Sequence, residues 1–274
     1  MPLDDAIAVD ELRWVRDELR HGESAIAPIV RRLLTLPEAE RAPLASAVAT
    51  AATTHLGYRE VGLGTAGSLA HGPHDDATDD ATGDDGPWTA ELRLVRSLAV
   101  RYPADSGVIV GLLMRLIRLA PGQALHLPVG NLHAYLEGAG IELMAAFDNV
   151  LRGGLTVKRV DVDELLQVLD VFTAEVPWVT PTASVAGERA LTPPTPFFRM
   201  SELTPSPNDE VAIGRRGPQV LLCTAGDATV TADLASISLT RGQAAHVSAS
   251  AQDVLVGTDT PGGAEVFRAT VGGD

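Results

Sequence analysis

A chain of 274 residues is long enough for one large domain or two modest ones, each with a core able to offset chain entropy. A formal charge of -15 argues against general nucleic-acid or membrane-surface binding, because such proteins meet phosphates with a basic face. Cys223 is the single cysteine, so no internal disulfide can form, and no basic leader with an apolar run opens the sequence; a reducing cytoplasm is the expected compartment.

The N-terminal stretch, residues 1–102, reads as a helical region. Leu12, Val15 and Leu19 recur at helical spacing, Pro37 to Thr53 is Ala-rich, and Trp88, Leu92, Val95 and Ala99 form another apolar stripe. Within it, residues 64–86 are rich in Gly, Asp, Ala and Thr with almost nothing to bury, which predicts a mobile acidic loop. His71 and His74 lie in that loop beside Asp75 and Asp76 and are expected to be solvated, since nothing there fixes a ligand geometry. The most apolar stretch, Gly107 to Ala120, is broken by Arg115 and Arg118 and is too short to span a membrane; it reads as buried strand or helix.

From Tyr102 onward short apolar runs alternate with Pro and Gly, the texture of strands and turns in a β-barrel or sandwich. One helix interrupts them, Asp163 to Phe172, with Leu165, Leu169 and Phe172 on one face. The Pro-rich stretch Val176 to Pro207 is expected to be a connector or ordered arm and not a central strand. Two β-rich blocks share a short repeat, Leu119-Ala120-Pro121-Gly122-Gln123-Ala124-Leu125-His126 against Leu239-Thr240-Arg241-Gly242-Gln243-Ala244-Ala245-His246, which suggests two copies of one barrel.

The chemistry-bearing motif runs from Gly122 through Pro128 and Gly130 to His133, a spacing that matches the second cupin motif. Pro and Gly fix a turn, and a strand's period of two then sends His133 and Tyr135 to the same side, where His133 can offer a ring nitrogen to a metal. Glu137 stands where the motif usually has Asn. A hydrogen-bonded core histidine is the ordinary alternative for a lone His, and the complete Gly, Pro, Gly, His spacing favours the ligand.

The run Leu127-Pro128-Val129-Gly130-Asn131-Leu132-His133-Ala134-Tyr135-Leu136, then Glu142-Leu143-Met144-Ala145, then Asp148-Asn149-Val150-Leu151-Arg152-Gly153-Gly154-Leu155-Thr156-Val157-Lys158, resembles the type I mannose-6-phosphate isomerases in order and in gaps. The preceding Tyr102-Pro103-Ala104-Asp105-Ser106-Gly107 and the helix from Asp163 extend the resemblance over roughly Tyr102 to Phe172. It implies an α+β, mainly β chain with cupin-type (RmlC-like) jelly-roll barrels after an N-terminal helical region. Residues 103–175 would be a metal-side half-barrel, and 176–274 the Pro-rich connector with a second, metal-free barrel. In that second copy Ser248, Ser250 and Asp253 replace the metal motif.

By the resemblance, His133 is one of four zinc ligands, Arg152 the active-site arginine, and Tyr135, Glu142 and Lys158 line a sugar-phosphate pocket. The reaction implied is interconversion of mannose 6-phosphate and fructose 6-phosphate through an enediol, with a small sugar phosphate as the partner and neither nucleic acid nor membrane. Arg152 suits oxyanion stabilisation because a guanidinium stays charged and offers planar donors. Lys158 can meet the phosphate, although an exposed lysine with no such role is as ordinary. Glu142 can accept a proton, with a buried partner for Arg152 as the alternative.

The family's remaining ligands, a Gln-x-His pair and a Glu, precede its helical region, and no Gln-x-His occurs in this sequence. Gln123 with His126 and Gln243 with His246 are three apart and would point to opposite faces of a strand. Val157 and Phe147 also depart from the residues the family commonly has. Two further readings follow: a sugar-phosphate-binding cupin without turnover, and a shortened isomerase whose half-barrel needs a complementary segment.

Overall fold

A computed structural model describes residues 12–60, 88–147, 149–171, 175–214 and 217–272. The acidic loop expected at 64–86, with His71 and His74, lies outside the described residues, as do Asp148 and Phe172. The described residues fall into two compact units, one drawn from within 1–117, 130–132 and 151–173, the other from within 118–129, 133–150 and 174–274.

The first unit is helical. Its helices are α1 (Arg13–Leu19), α2 (Ile26–Leu34), α3 (Glu38–Glu60), α4 (Thr89–Arg101), α5 (Gly107–Leu113) and α6 (Val162–Val168). The apolar stripes read from the sequence become its core: Leu12, Val15, Ile29, Leu33, Val48, Ala52, Leu92, Val95 and Ala99 are buried together. Trp88 leaves the stripe, because it takes a left-handed conformation at φ 74° ahead of α4 and stays exposed. The apolar stretch after Tyr102 resolves as helix, since Val108, Ile109 and Val110 all join this core. The boundary expected at residue 102 is therefore displaced: α5 and the segment 151–173 belong with the helices. Asp161 caps α6 by accepting from the Glu164 amide, and the helix ends at Val168, short of the Phe172 expected. No helix among the described residues is long and apolar enough to cross a membrane.

The second unit is built of strands. In chain order these are β1 (Ala124–Leu125), β2 (Trp178–Val179), β3 (Thr182–Val185), β4 (Glu188–Leu191), β5 (Phe198–Leu203), β6 (Val211–Ile213), β7 (Gln219–Ala225), β8 (Asp227–Ala232), β9 (Ala235–Thr240), β10 (Ala244–Val247), β11 (Val254–Gly257) and β12 (Glu265–Val271). Two antiparallel sheets share one core, six strands in the order β10-β7-β12-β5-β4-β3 and four in the order β6-β11-β8-β9. Leu203, Leu221, Cys223 and Val266 of the first sheet bury against Val230, Leu239, Val254 and Val256 of the second, with inward and outward residues alternating along β7 and β12.

The Pro-rich stretch is more than a connector. It supplies β4 and β5, and β5 is an interior strand paired to both β4 and β12. Its prolines, Pro181, Pro193, Pro194, Pro196 and Pro205 among them, fall between strands, where the missing amide breaks no ladder bond.

The repeat read from the sequence has matching local structure. The Ala120 amide donates to the Gln123 side chain at 2.8 Å and the Thr240 amide to the Gln243 side chain at 2.9 Å. Each turn carries a left-handed glycine, Gly122 at φ 79° and Gly242 at φ 86°. The strands that follow differ: β10 joins the six-stranded sheet, whereas β1 pairs only with β2. Between β1 and β2 no strand forms among the described residues, so the half-barrel expected over 103–175 is represented by β1 alone.

Candidate functional site

The predicted site residues fall in both units. Arg152 and Lys158 belong to the helical unit, and His133, Tyr135 and Glu142 to the β unit.

In the helical unit, the glycine of the histidine motif is held by the end of α6. Gly130 has φ 83°, its carbonyl accepts from the Asp170 amide at 3.0 Å, and a methyl placed on it would stand 2.6 Å from the Val168 carbonyl oxygen. Only glycine fits both the conformation and the approach. Two residues on, Leu132 packs over Gly153, where a Cβ would come 2.6 Å from its Cδ2.

The arginine segment bends over residues 154–158. Gly154 has φ 125° and Leu155 φ 53°, the latter a conformation that costs a residue with a side chain about 1 kcal/mol or more. Asp105 secures it: Oδ2 accepts from the Leu155 amide at 2.6 Å while Oδ1 accepts from the Gly107 amide at 2.7 Å, capping the start of α5. Arg152 and Lys158 are exposed, and the Lys158 amide donates to the Thr156 hydroxyl at 3.1 Å. A cavity of about 370 Å3 lies elsewhere in this unit, beside Thr50, Thr53 and Arg96, and none of the predicted residues line it.

In the β unit, His133 is exposed and stands outside any strand, so the strand expected to begin there does not form. The shared side expected from strand periodicity is nevertheless observed: the rings of His133 and Tyr135 meet edge to face at 5.8 Å with an interplanar angle of 67°. The Tyr135 phenol stands close enough to the Glu142 carboxylate to feel its charge. Tyr135 is exposed; what desolvation its phenol does undergo, then hydrogen bonding to Glu142 and that residue's negative charge, raise its pKa above the ordinary 10.0. Glu142 is itself exposed, not the buried arginine partner weighed as an alternative.

Leu136, Ile141, Met144, Phe147 and Val150 follow with exposed side chains, apolar residues of a strand-like sequence that forms no strand among the described residues. Phe147 finds one neighbour, meeting Phe197 edge to face at 5.6 Å.

Zinc requires more donors than these. Among the described residues no three of His, Cys, Asp or Glu come together, whereas a catalytic zinc takes three protein ligands and a water. The surroundings of His133 therefore do not fit a zinc centre by themselves.

Sequence reasoning missed Asp105. Its signal was present, a Tyr-Pro-x-Asp-x-Gly run ahead of α5, but an aspartate close to a glycine reads as an ordinary helix cap, and its bond to Leu155 spans 50 residues.

No family model matches the chain. Over 174 residues it is 33% identical to the mannose-6-phosphate isomerase of Escherichia coli K12, a match that covers 62% of this chain and 42% of that protein. It is 32% identical over 191 residues to the rat mannose-6-phosphate isomerase, covering 64% of this chain and 43% of the relative. Among solved structures, a variant of Salmonella typhimurium phosphomannose isomerase superposes with a TM-score of 0.74 at 23% identity, over 99% of this chain and 60% of that one. The mannose 6-phosphate isomerase of the same organism, bound to its substrate and a zinc atom, superposes with a TM-score of 0.72 at 23% identity, over 99% and 60%. The resemblance read from the motifs and the cupin-type α+β fold are thus borne out. The chain spans about two fifths of the curated relatives' length and about three fifths of the solved structures'.

Proposed function

We propose that this chain, related in sequence to the mannose-6-phosphate isomerases, serves the interconversion of mannose 6-phosphate and fructose 6-phosphate. The observation that carries the reading is the 33% identity over 174 residues to a curated isomerase. The reaction moves a proton between C1 and C2 through an enediol, and negative charge develops on the neighbouring oxygen as the proton leaves. Under this reading Arg152 stabilises that oxyanion; its guanidinium keeps its charge and needs no proton transfer to act. Lys158 meets the phosphate, which gives an acidic chain a local cation for an anionic substrate. Tyr135 and Glu142 contact the sugar under the same reading, as neighbouring polar groups. His133 offers one metal ligand. Because the described residues supply no further pair of donors, no step is assigned to zinc.

A second reading, sugar-phosphate binding without turnover, is favoured by that same shortage of metal donors. The two separate in one experiment. The chain is incubated with fructose 6-phosphate and zinc, mannose 6-phosphate is followed by NMR, and Arg152→Ala and Lys158→Ala serve as comparisons. Conversion that falls about 100-fold or more in Arg152→Ala supports isomerisation. Saturable binding without conversion supports the second reading, and neither binding nor conversion sinks both.

A further inference from the structure

We infer that Asp105 is a positioning residue for the arginine segment: its carboxylate, through the Leu155 amide, holds the bend that follows Arg152 and so fixes how Arg152 is presented. The inference rests on the reading of Arg152 as substrate-facing.

Three observations within the helical unit carry it. First, both carboxylate oxygens are committed to backbone amides from well-separated parts of the chain, Gly107 at 2.7 Å and Leu155 at 2.6 Å. Charge-assisted bonds of this kind are the stronger class, and two on one rigid carboxylate fix a distance between the two backbones. Second, two glycines clear room for it. A Cβ on Gly107 or on Gly154 would each stand 2.9 Å from Asp105 Oδ1, so both backbones approach a carboxylate that side chains would exclude. Third, the bend has consecutive positive φ values at Gly154 and Leu155. Leucine does not choose this conformation unaided, and an outside acceptor on its amide is a physical reason for it to persist.

The Leu155 side chain lies over Gly107, and Leu132 presses on Gly153. Arg152 is joined directly to that clamped stretch. Loss of the Asp105–Leu155 bond frees the bend and lets the guanidinium wander, which lowers affinity without removing any group that touches substrate.

An ordinary role exists for Asp105, capping α5, and one substitution separates it from the positioning role. Capping needs a single oxygen, which asparagine retains; holding both amides needs two acceptors, and the asparagine NH2 accepts nothing.

The test is a double-mutant cycle on the whole chain. Fructose 6-phosphate affinity is measured by calorimetry for wild type, Asp105→Asn, Arg152→Ala and the double variant, with hydrogen exchange of the Gly107 and Leu155 amides read by NMR. Asp105→Asn is expected to speed exchange at Leu155 and to weaken binding about tenfold. In the Arg152→Ala background it is expected to cost nothing further, because what it positions is gone. Wild-type affinity in Asp105→Asn, or the same tenfold loss in both backgrounds, overturns the positioning role alone. Failure of the wild type to bind overturns the functional reading and the positioning role together. Should Asp105→Asn not fold, Asp105→Ser, which also leaves one capping oxygen, takes its place in the cycle.

Discussion

Arg268 on β12 donates through Nη1 to Glu188 on β4 at 2.8 Å, with 3% and 6% of the two side chains exposed. The pair lies inside the β unit, on the strand face that carries Val266, and its neighbours complete the polar network. Arg268 Nε donates to Gln219 Oε1 at 2.7 Å, Nη2 to the Gly214 carbonyl at 2.6 Å, and the Ser201 hydroxyl to Glu188 at 2.7 Å. Removing one member leaves the other charged and buried, which costs about 3–5 kcal/mol, whereas replacing both with apolar residues leaves no such charge. Arg268→Met is expected to lower unfolding stability in urea by that amount, and Arg268→Met with Glu188→Leu to recover most of it. Equal losses in the single and double variants would show that the charges are not what holds this end of the sheet.

Gly130→Ala tests the coupling of the histidine motif to α6. The added methyl meets the Val168 carbonyl oxygen at 2.6 Å on a backbone at φ 83°. Strain and contact together are expected to cost about 1–3 kcal/mol, read as a lowered melting temperature, and the Asp170 amide should exchange faster. An unchanged melting temperature would contradict the close approach.

How much of this was legible in the sequence follows from how local each feature is. The helical stripe through Leu92, Val95 and Ala99 and the matched turns at Gln123 and Gln243 depend on residues within a few positions of each other, and both were readable. In the Pro-rich stretch proline density predicts a connector, whereas proline register decides the pairing. Each proline falls between strands, which leaves β5 free to pair on both sides. The strand predicted at His133 does not form for a different reason: alternation supplies a face, but a strand also needs a paired backbone, and none pairs with 133–147 among the described residues. Asp105 was hidden because its significance lies in a bond to Leu155.

Tyr135 gives a pH test of the β-unit cluster. Its pKa is raised by desolvation and by Glu142, so the fold favours the neutral phenol. The stability this contributes is whole below the ordinary value of 10.0 and is lost as pH rises through the raised one. Ultraviolet titration, with Tyr135→Phe subtracted, is expected to show a midpoint above 10.0 that moves down in Glu142→Gln. A midpoint indifferent to Glu142→Gln would remove the hydrogen bond from the account.

The most direct test of the central claim is equilibrium binding of fructose 6-phosphate to the wild-type chain and to Arg152→Ala, with inorganic phosphate as the comparison ligand. The account predicts saturable binding, tighter for the sugar phosphate than for phosphate alone and weakened about tenfold or more in Arg152→Ala. No saturable binding, or binding that Arg152→Ala leaves unchanged, would contradict it.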